Sequence, residues 1–307
     1  MITYNHEAYI VQAMEGVLMQ KCNFSIELII GEDCSTDKTR QICNDYALKH
    51  SEINLLATET NLGMMPNFIR TLRACTGKYI AICEGDDYWT DPLKLQKQVD
   101  FLEKHGDYGL VWTDVDFYYQ STKVFKRSIF KNKISPIYNS FNEILINKAF
   151  IAPCTWLYRR EYSPCGINEY CDGTFPMILD IIAVTKIKYL DEVTSVYRYT
   201  QGSASRSANA LNRYKFSQGV HKIQKNYLKK YNLSGKIEEE LDLKHYESAY
   251  PYAVILDDFK AIEIGKLILK RSPSKSLKIR VALFLSYSYL GVSILKLIYK
   301  LREKYSD

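Results

Sequence analysis

The sequence of 307 residues lacks the short motifs that mark several common classes of enzyme and metal site. It contains no Gly-x-Gly-x-x-Gly string, which a dinucleotide oxidoreductase carries after its first strand, and no Gly-x-x-x-x-Gly-Lys-Ser/Thr phosphate-binding loop. Its eight cysteines include no Cys-x-x-Cys pair, and its five histidines show no zinc-like spacing. These absences argue against a dinucleotide oxidoreductase, a P-loop enzyme and a structural zinc domain.

Charge of one sign and long apolar runs are also scarce. The 41 basic and 35 acidic residues leave a net charge of only +6, and we expect no nucleic-acid partner. The uncharged stretch 281–295 holds fifteen residues, whereas a membrane-spanning helix needs about 20 apolar residues. No signal peptide opens the chain, so we interpret the cysteines as reduced and the protein as cytoplasmic.

The first 105 residues alternate short apolar runs with helix-like spacing of apolar side chains. Hydrophobic residues make up 47% of the chain and charged residues 25%, which is typical of a folded domain. Apolar runs that indicate buried strands lie at 26–30, 53–56 and 79–83. Strands alternating with helices predict an α/β fold, with a mostly parallel sheet flanked by helices and ligands bound beyond the carboxyl ends of the strands. Beyond residue 211 the pattern is helical.

Two acidic clusters follow predicted strands, at 31–37 and at 84–87. In the second, Glu84, Asp86 and Asp87 place three carboxylates within four residues, where they repel one another. A cation offsets such repulsion, and oxygen ligands suit a Mg²⁺ or Mn²⁺ ion that also binds a substrate diphosphate. The alternative is a solvated acidic turn that caps the next helix.

A further acidic pair, Asp114 and Asp116, lies within a run rich in β-branched and aromatic residues. Because alternate residues of a strand point to one face, both carboxylates share one side of the predicted strand. We interpret them as solvent-facing strand carboxylates rather than as metal ligands.

Four ordered motifs resemble those of the family 2 glycosyltransferases with the GT-A fold. Thr3-Tyr4-Asn5-His6-Glu7 resembles their T-Y-N-x-E opening, and 31–37 resembles their D-D-x-S-x-D loop. The segment 61–67 is similar to their N-x-G…N segment, and 76–87 to their stretch that ends in D-x-D-D. The resemblance is clearest over residues 1–105 and weaker over 106–205.

The resemblance implies a GT-A (Rossmann-like) catalytic domain over 1–205 and a helical extension over 206–307. Only two residues, Met1 and Ile2, precede the first motif, whereas relatives have a strand of several apolar residues there, so we expect a truncated first strand. The implied activity is an inverting transfer of a sugar from a nucleotide-diphosphate donor, for which we expect a UDP-sugar. The implied acceptor is a hydroxyl of a glycan or a lipid-linked molecule, in the synthesis of cell-surface polysaccharide.

The same resemblance assigns roles around the donor by position. It makes Asp86 the principal ligand of a Mn²⁺ or Mg²⁺ ion with Glu84 assisting, and it makes Asp87 a contact to the donor ribose or sugar. The implied nucleotide contacts are Thr3, Tyr4, Asn5, Asp33, Asn61, Gly63 and Asn67.

An inverting transfer also needs a general base for the acceptor hydroxyl. Relatives supply an acid at the start of a helix, and here Asp172 precedes the apolar run 175–184. We predict Asp172 as the base, with Glu169 as the second candidate. For Asp172 alone, a helix cap is the plain alternative, since caps are often Asp.

On the acceptor side, the resemblance points to Trp156, whose indole could stack on a sugar ring or, alternatively, lie in the core. Arg198 lies in the strand that precedes the loop expected to close over the diphosphate. It is predicted to pair with phosphate or to be a surface cation. Thr200 stands where some relatives carry a histidine that assists the metal.

The tail at 273–307 carries an uncharged core flanked by lysines and arginines. A basic amphipathic helix of this kind can lie in the headgroup region of an anionic membrane. Two interpretations stay open: peripheral attachment at the inner face of the membrane, or a helix packed on the catalytic domain. Two other functions also stay open, a non-catalytic sugar-binding or scaffold protein and a sugar-phosphate nucleotidyltransferase. The oligomeric state cannot be predicted from the sequence.

Overall fold

The computed structural model describes residues 1–163, 170–200, 209–271 and 276–304. The chain divides into two compact units. The first, the sheet unit, comprises residues 1–141 and 150–200, and the second, the helical unit, comprises 142–149 and the residues from 201 onward. The boundary predicted near residue 205 lies outside the described residues.

Nine strands and eleven helices are present in the described residues. The strands are β1 (Ile2–Thr3), β2 (Leu28–Glu32), β3 (Ile53–Leu56), β4 (Tyr79–Ala81), β5 (Tyr88–Trp89), β6 (Tyr108–Tyr119), β7 (Val124–Lys126), β8 (Leu157–Arg159) and β9 (Lys186–Tyr199). The helices are α1 (Ile10–Leu18), α2 (Thr39–Ala47), α3 (Met64–Arg73), α4 (Lys94–Lys104), α5 (Phe141–Asn147), α6 (Thr174–Val184), α7 (Ala210–Lys230), α8 (Lys236–Ile255), α9 (Phe259–Arg271), α10 (Leu277–Leu285) and α11 (Tyr289–Lys304).

The sheet unit contains two sheets. β1, β2 and β3 pair in parallel in that order, as the alternation of strands and helices predicts. The second sheet has the order β4-β8-β6-β9-β5, with β7 on β6, and only β6 and β9 pair in parallel. The remaining pairs of this sheet are antiparallel. The prediction of a mostly parallel sheet therefore applies to the first sheet, because apolar alternation indicates a strand but not its direction.

The core of the sheet unit lies between these strands and the helices α1 and α4. All five residues of β2 are buried, as expected for a strand covered on both faces. Ile10 and Met14 of α1 pack against the same cluster. Asn5 does not cap this helix: it takes a positive φ of 54°, and its side chain accepts a hydrogen bond from Thr36 N at 2.8 Å.

The helical unit packs around α8, whose Tyr246 and Tyr250 lie in its core. The interpretation of 281–295 as one continuous helix is wrong, because α10 ends at Leu285 and α11 begins at Tyr289. Ser286 lies at this break, where its hydroxyl bonds to Leu283 O at 2.7 Å and to the Tyr250 hydroxyl at 2.6 Å. No helix within the described ranges is both long and apolar enough to cross a membrane.

Candidate active site

The acidic loop, Glu84–Asp87, connects β4 to β5 and packs against the end of β1. The Gly85 amide donates to Ile2 O at 2.9 Å, and the Asp87 amide donates to Glu84 O at 3.0 Å. A Cβ at Gly85 would lie 2.7 Å from Thr3 Oγ1 and 2.8 Å from His6 Nδ1. Only glycine fits this close approach, so the first motif and the acidic loop form one packed unit.

The carboxylates of this loop form no ion pair within the part of the chain that the structure describes. None of the ion pairs formed by the described residues includes Glu84, Asp86 or Asp87. Burial, together with repulsion from Asp86 and Asp172, raises the pKa of Glu84 to about 8. Burial and the same neighbouring acids raise the pKa of Asp87 well above its ordinary value. Burial and mutual repulsion therefore disfavour the ionised form of these carboxylates, and a bound cation would favour it.

Arg198 on β9 holds the acidic loop in place. Its backbone amide donates to Asp87 Oδ1 at 2.8 Å, and its Nε donates to Asp86 O at 2.7 Å. The two remaining nitrogens donate to Gln12 Oε1 at 2.7 Å and Gln120 Oε1 at 3.1 Å. Three tyrosine rings surround the guanidinium at 4.9 to 5.5 Å, those of Tyr9, Tyr88 and Tyr118. All three nitrogens of the guanidinium are thus bonded to other groups of the protein, which corrects the predicted contact of Arg198 with the diphosphate.

The structure brings Asp172 close to the acidic loop, since its charge contributes to the raised pKa of Glu84. Asp172 Oδ1 accepts from Thr174 N at 2.8 Å and from Thr174 Oγ1 at 2.9 Å, which caps α6. The cap and a role as base are compatible, because these bonds occupy one oxygen of the carboxylate. The second candidate, Glu169, lies outside the described residues.

The predicted nucleotide contacts of the first motif lie at the carboxyl end of β1. Thr3 is 2% exposed, and its buried Oγ1 has no hydrogen-bond partner in the described structure. Tyr4 is 42% exposed. Asn5 is exposed and joins the loop after β2 through Thr36.

Asp33 organises the neighbouring nucleotide-side loop. Its carboxylate accepts from Leu62 N at 2.8 Å and Gly63 N at 2.9 Å, and Asn61 Nδ2 donates to its backbone oxygen at 3.0 Å. Gly63 has a φ of +88°, which favours glycine, and precedes α3. The structure thus brings Asp33, Asn61 and Gly63 together, while contact with a base stays a prediction.

Two predicted ligand contacts are corrected by burial. Asn67 is 2% exposed, and its amide donates to Gly31 O and accepts from Arg70 Nε, both at 2.9 Å. Trp156 is 1% exposed and donates from Nε1 to Ile151 O at 3.0 Å. Neither side chain has a surface to offer a nucleotide or a sugar, because each is used in packing.

Asp114 and Asp116 are buried, at 0% and 5% exposure, rather than solvent-facing. Asp114 accepts from the amides of Val115, Phe130 and Lys131. Asp116 accepts from the Ser128 amide and pairs with Arg127. Hydrogen bonds to backbone amides stabilise these carboxylates, which gives the pair a structural role in the sheet unit.

The structure also reveals residues that the sequence patterns did not single out. Gln12 and Gln120 are such residues, since only the fold brings them to Arg198. Burial and the charges of the acidic loop raise the pKa of Tyr197 well above its usual value, which places its hydroxyl near the carboxylates. His6 occupies the variable position of the first motif, so the motif is the sequence signal that could have singled out this residue. Burial lowers the pKa of His6, although Asp86 and Asp37 oppose this shift.

The donor set of the acidic loop fits a divalent ion. Among the described residues no three His, Cys, Asp or Glu side chains form a complete metal-binding group. Mg²⁺ and similar ions are often held by one or two carboxylates plus substrate phosphates, so a complete protein cage is not required. Such an ion would offset the repulsion between Glu84 and Asp86.

A cleft of about 660 Å³ lies elsewhere in the sheet unit, and Ile182, Thr185 and Lys186 are among the residues that line it. It contains none of the predicted site residues, and it adjoins the end of α6 opposite Asp172. We therefore place the candidate active site at the acidic loop.

Comparison with known proteins agrees with this geometry. Residues 1–165 match the family described as Glycosyl transferase family 2. The match covers more than half of the chain. The chain belongs to glycosyltransferase family 2. Membership in this family confirms the resemblance of the four motifs.

Curated relatives of this family 2 glycosyltransferase match its first part. An uncharacterised protein of Mycobacterium tuberculosis is 42% identical over 120 residues, which are 39% of this chain and 35% of that protein. EpsE of Bacillus subtilis, named as a glycosyltransferase, is 40% identical over 36% of this chain and 39% of its own length. TuaG of Bacillus subtilis, named for teichuronic acid biosynthesis, is 35% identical over 33% of this chain and 39% of its own length. The matches thus span little more than a third of these relatives.

Solved structures confirm the GT-A fold. TarS of S. aureus in complex with UDP-GlcNAc aligns with a TM-score of 0.61 and 16% identity, over 100% of this chain and 90% of that chain. The mannosyltransferase PcManGT of Pyrobaculum calidifontis, with GDP-Man and Mn²⁺, aligns with a TM-score of 0.54 and 15% identity, over 100% and 86% of the two chains. At these identities the likeness concerns the fold.

Proposed function

We propose that this glycosyltransferase inverts the anomeric centre as it moves a sugar from a nucleotide-diphosphate donor to an acceptor hydroxyl. The observation that carries the proposal is that Asp172, far from the acidic loop in the sequence, is near enough to Glu84 for its charge to raise the pKa of Glu84. We propose a UDP-sugar as donor, supported by the fold shared with TarS in its UDP-GlcNAc complex. The name of TuaG, which refers to teichuronic acid biosynthesis, supports an acceptor in cell-surface polysaccharide synthesis, either a glycan or a lipid-linked molecule.

On the donor side, Asp86 with Glu84 would hold a Mn²⁺ or Mg²⁺ ion. When bound, such an ion neutralises the charge on the departing nucleoside diphosphate. Thr3, Tyr4, Asn5 and Asp33 would line the base and ribose. Asp87, held at one oxygen by the Arg198 amide, would contact the donor sugar or ribose.

On the acceptor side, Asp172 acts as the general base. Its carboxylate takes the proton of the acceptor hydroxyl while that oxygen forms a bond to the anomeric carbon. The bond from the anomeric carbon to the diphosphate oxygen breaks on the opposite face, and its electron pair leaves with the nucleoside diphosphate. The helix cap at Thr174 fixes the carboxylate for this transfer.

A thermal-shift panel of UDP-, GDP- and dTDP-sugars with Mn²⁺ tests the donor assignment, because a ligand of the folded state raises the melting temperature. Slow hydrolysis of the stabilising donor then separates an enzyme from a sugar-binding scaffold. We expect a UDP-sugar to stabilise the protein and to be hydrolysed only with the divalent ion present. Stabilisation without hydrolysis would favour a scaffold, and no response to any donor would contradict the proposal.

We also propose that the helical unit attaches to the inner, cytoplasmic face of the membrane. α10 exposes Leu277, Val281 and Phe284 along one face, at 73%, 44% and 77%. α11 exposes a second apolar stripe, of which Leu290 is 71% and Leu297 58% exposed. Residues 260–304 include eleven basic and two acidic side chains, which complements an anionic lipid surface. Our proposal therefore includes residues of α9 as well as the predicted membrane segment, 273–307.

A further inference from the structure

One face of the paired strands β6 and β9 carries a cluster of aromatic rings. Because side chains alternate along a strand, the register of this pair sets Phe117 beside Tyr197 and Tyr119 beside Tyr199 on the same face. The rings of Tyr119 and Tyr199 stack at 4.6 Å between centroids, and Phe117 meets both rings of β9 edge-on at 5.1 to 5.9 Å. Phe150, from the segment before β8, lies 5.2 Å from Tyr197. We call these five residues the aromatic face.

The outer rings of the aromatic face are accessible, whereas its centre is buried. Phe117 is 6% exposed, but Phe150 is 42% exposed, and Tyr119, Tyr197 and Tyr199 are half-buried. Phe150 meets Phe117 and Tyr197 edge-on. Apolar side chains that are exposed together often mark a binding site.

The segment that carries Phe150 is anchored to the strands of the sheet unit. Ile151, the next residue, is 5% exposed. Cys154 O accepts from Trp89 Nε1 of β5 at 2.8 Å and from Ser195 Oγ of β9 at 2.9 Å. Both bonds are buried, so the segment is fixed in place before a ligand arrives. A surface ordered in advance favours affinity, because less freedom is lost on binding.

The aromatic face adjoins the acidic loop. Tyr197 stands between Val196, which pairs with Tyr88 of β5, and Arg198, whose amide binds Asp87. The carboxylates of the loop act on the Tyr197 hydroxyl and raise its pKa, which indicates a negative potential at this end of the face. Such a potential disfavours a phosphate group. It suits an uncharged ligand whose hydroxyls can donate hydrogen bonds to carboxylates.

We propose that the aromatic face binds the acceptor as an uncharged glycan chain, with Phe150 and Tyr199 packed against its sugar rings. This inference rests on the proposed function and deepens it, since it selects a glycan from the acceptors left open there. The apolar C–H side of a sugar can pack on an aromatic ring, while the hydroxyls at the rim stay available to polar groups. The accessible rings come from two strands and from the segment before β8. They can therefore contact more than one sugar unit, whereas a nucleotide donor brings a single sugar.

The experiment measures binding of maltotriose, cellotriose and N-acetylchitotriose to the full chain by saturation-transfer NMR, with UDP and Mn²⁺ present. We expect at least one trisaccharide to bind the native chain, with the signal strongest at its C–H protons. Phe150→Ala should weaken this binding at least about tenfold, because burial of an aromatic side chain is worth more than a tenfold change in affinity. Phe150→Tyr, which keeps the ring, should bind nearly as the native chain does.

Two further variants make the result specific to the aromatic face. Tyr199→Ala repeats the test at a second ring, so that the outcome does not depend on how well Phe150→Ala folds. Leu93→Ala is the matched control, because Leu93 is 43% exposed in the same unit and lies outside the aromatic face. It should bind the trisaccharide as the native chain does. Unchanged binding in both Phe150→Ala and Tyr199→Ala would overturn the inference.

Affinity for UDP-GlcNAc with Mn²⁺, measured by calorimetry on the same proteins, separates the acceptor from the donor. We expect Phe150→Ala to keep the native affinity for UDP-GlcNAc. If it loses the donor and the trisaccharide alike, the face contacts the donor and the inference is overturned. A native chain that hydrolyses a nucleotide sugar but binds none of the three trisaccharides also overturns it, and the proposed function stands. A native chain that binds no UDP-, GDP- or dTDP-sugar contradicts the proposed function itself.

Discussion

The two units of this glycosyltransferase depart from the usual distribution of polar and apolar residues in opposite directions. The sheet unit buries charge: Glu32 and Lys94 are 0% exposed, and Asp87 is 2% exposed. The helical unit exposes large apolar side chains, with Tyr289 at 91% and Phe284 at 77%.

The difference indicates what each unit is suited to bind, a cation at the sheet unit and an apolar surface at the helical unit. Within the sheet unit, Glu32 is paired with Arg40, and Lys94 donates to Gln98 Oε1 at 2.6 Å. The acidic loop differs in that it gathers several buried carboxylates that repel one another, and a cation would offset this repulsion. In the helical unit the exposed apolar stripes are the basis of the proposed membrane attachment.

The first way to test the comparison is Asp86→Asn, which keeps the shape of the side chain but removes a charge from the loop. We expect divalent-dependent turnover to be abolished while the fold persists, because the carboxylate charge is not used in packing. Turnover at several Mn²⁺ concentrations and a melting curve measure both effects. Asp114→Asn is the control and should lower the melting temperature, since Asp114 accepts three backbone hydrogen bonds. Near-normal turnover in Asp86→Asn would contradict the metal assignment.

The second test is Asp172→Asn. Asparagine also caps helices, so α6 should be preserved. Loss of a general base costs about 10²–10⁴-fold in turnover, whereas binding of the nucleotide donor should change little. Steady-state kinetics alongside donor affinity check this split. A variant that instead lost nucleotide affinity would move Asp172 to the donor side.

The third test concerns the apolar surface of α11. We expect Leu290→Gln combined with Leu297→Gln to reduce flotation with anionic vesicles by more than about tenfold, since burying each leucine is worth about 1.5–3 kcal/mol. Binding by the native chain should weaken as salt is added. Leu48→Gln, which changes an 86% exposed leucine of the sheet unit, is the control. Equal flotation of all three proteins would leave the stripes without a membrane role.

The smallest effect is expected from pH acting on the helical unit. Burial, with nearby His221 and Lys148, lowers the pKa of His245 to about 2 from an ordinary 6.5. Below pH 6.5 the unfolded chain takes up a proton that the folded chain excludes. The free energy of unfolding should therefore fall with decreasing pH, by at most about 1.4 kcal/mol per pH unit.

Urea unfolding at a series of pH values measures this slope. His245→Phe keeps an aromatic ring against His221, whose centroid lies 3.8 Å away, and should flatten the slope. His50→Phe in the sheet unit should leave it unchanged. An identical slope in His245→Phe would assign the pH dependence to other groups.

Several features of the fold and the candidate site could be predicted from the sequence because they depend on local pattern. The runs that form β2, β3 and β4 are short and apolar. The carboxylates of the cluster that begins at Glu84 are so close in the sequence that their mutual repulsion could be predicted. The resemblance also led to Asp172, whose charge acts on Glu84 in the structure, while its role as base stays a prediction.

Other features depend on distant partners that no local pattern shows. Trp156 has an indole ring that could stack on a sugar, but the fold buries this ring to 1% exposure. Arg198 has the charge of a phosphate ligand, but three tyrosines and two glutamines from elsewhere in the chain surround it. The break at Ser286 likewise depends on Tyr250, which is 36 residues away.

The bond from the Arg198 amide to Asp87 spans 111 residues of sequence. Contacts between such distant positions form late, because a long loop must close before they stabilise the chain. While the ribosome is still making the protein, a nascent chain that has exposed only residues 1–165 carries all four donor motifs without β9. The bonds from Arg198 to the acidic loop can form only after β9 has been made, so we expect the loop to reach this arrangement once synthesis of the sheet unit is complete.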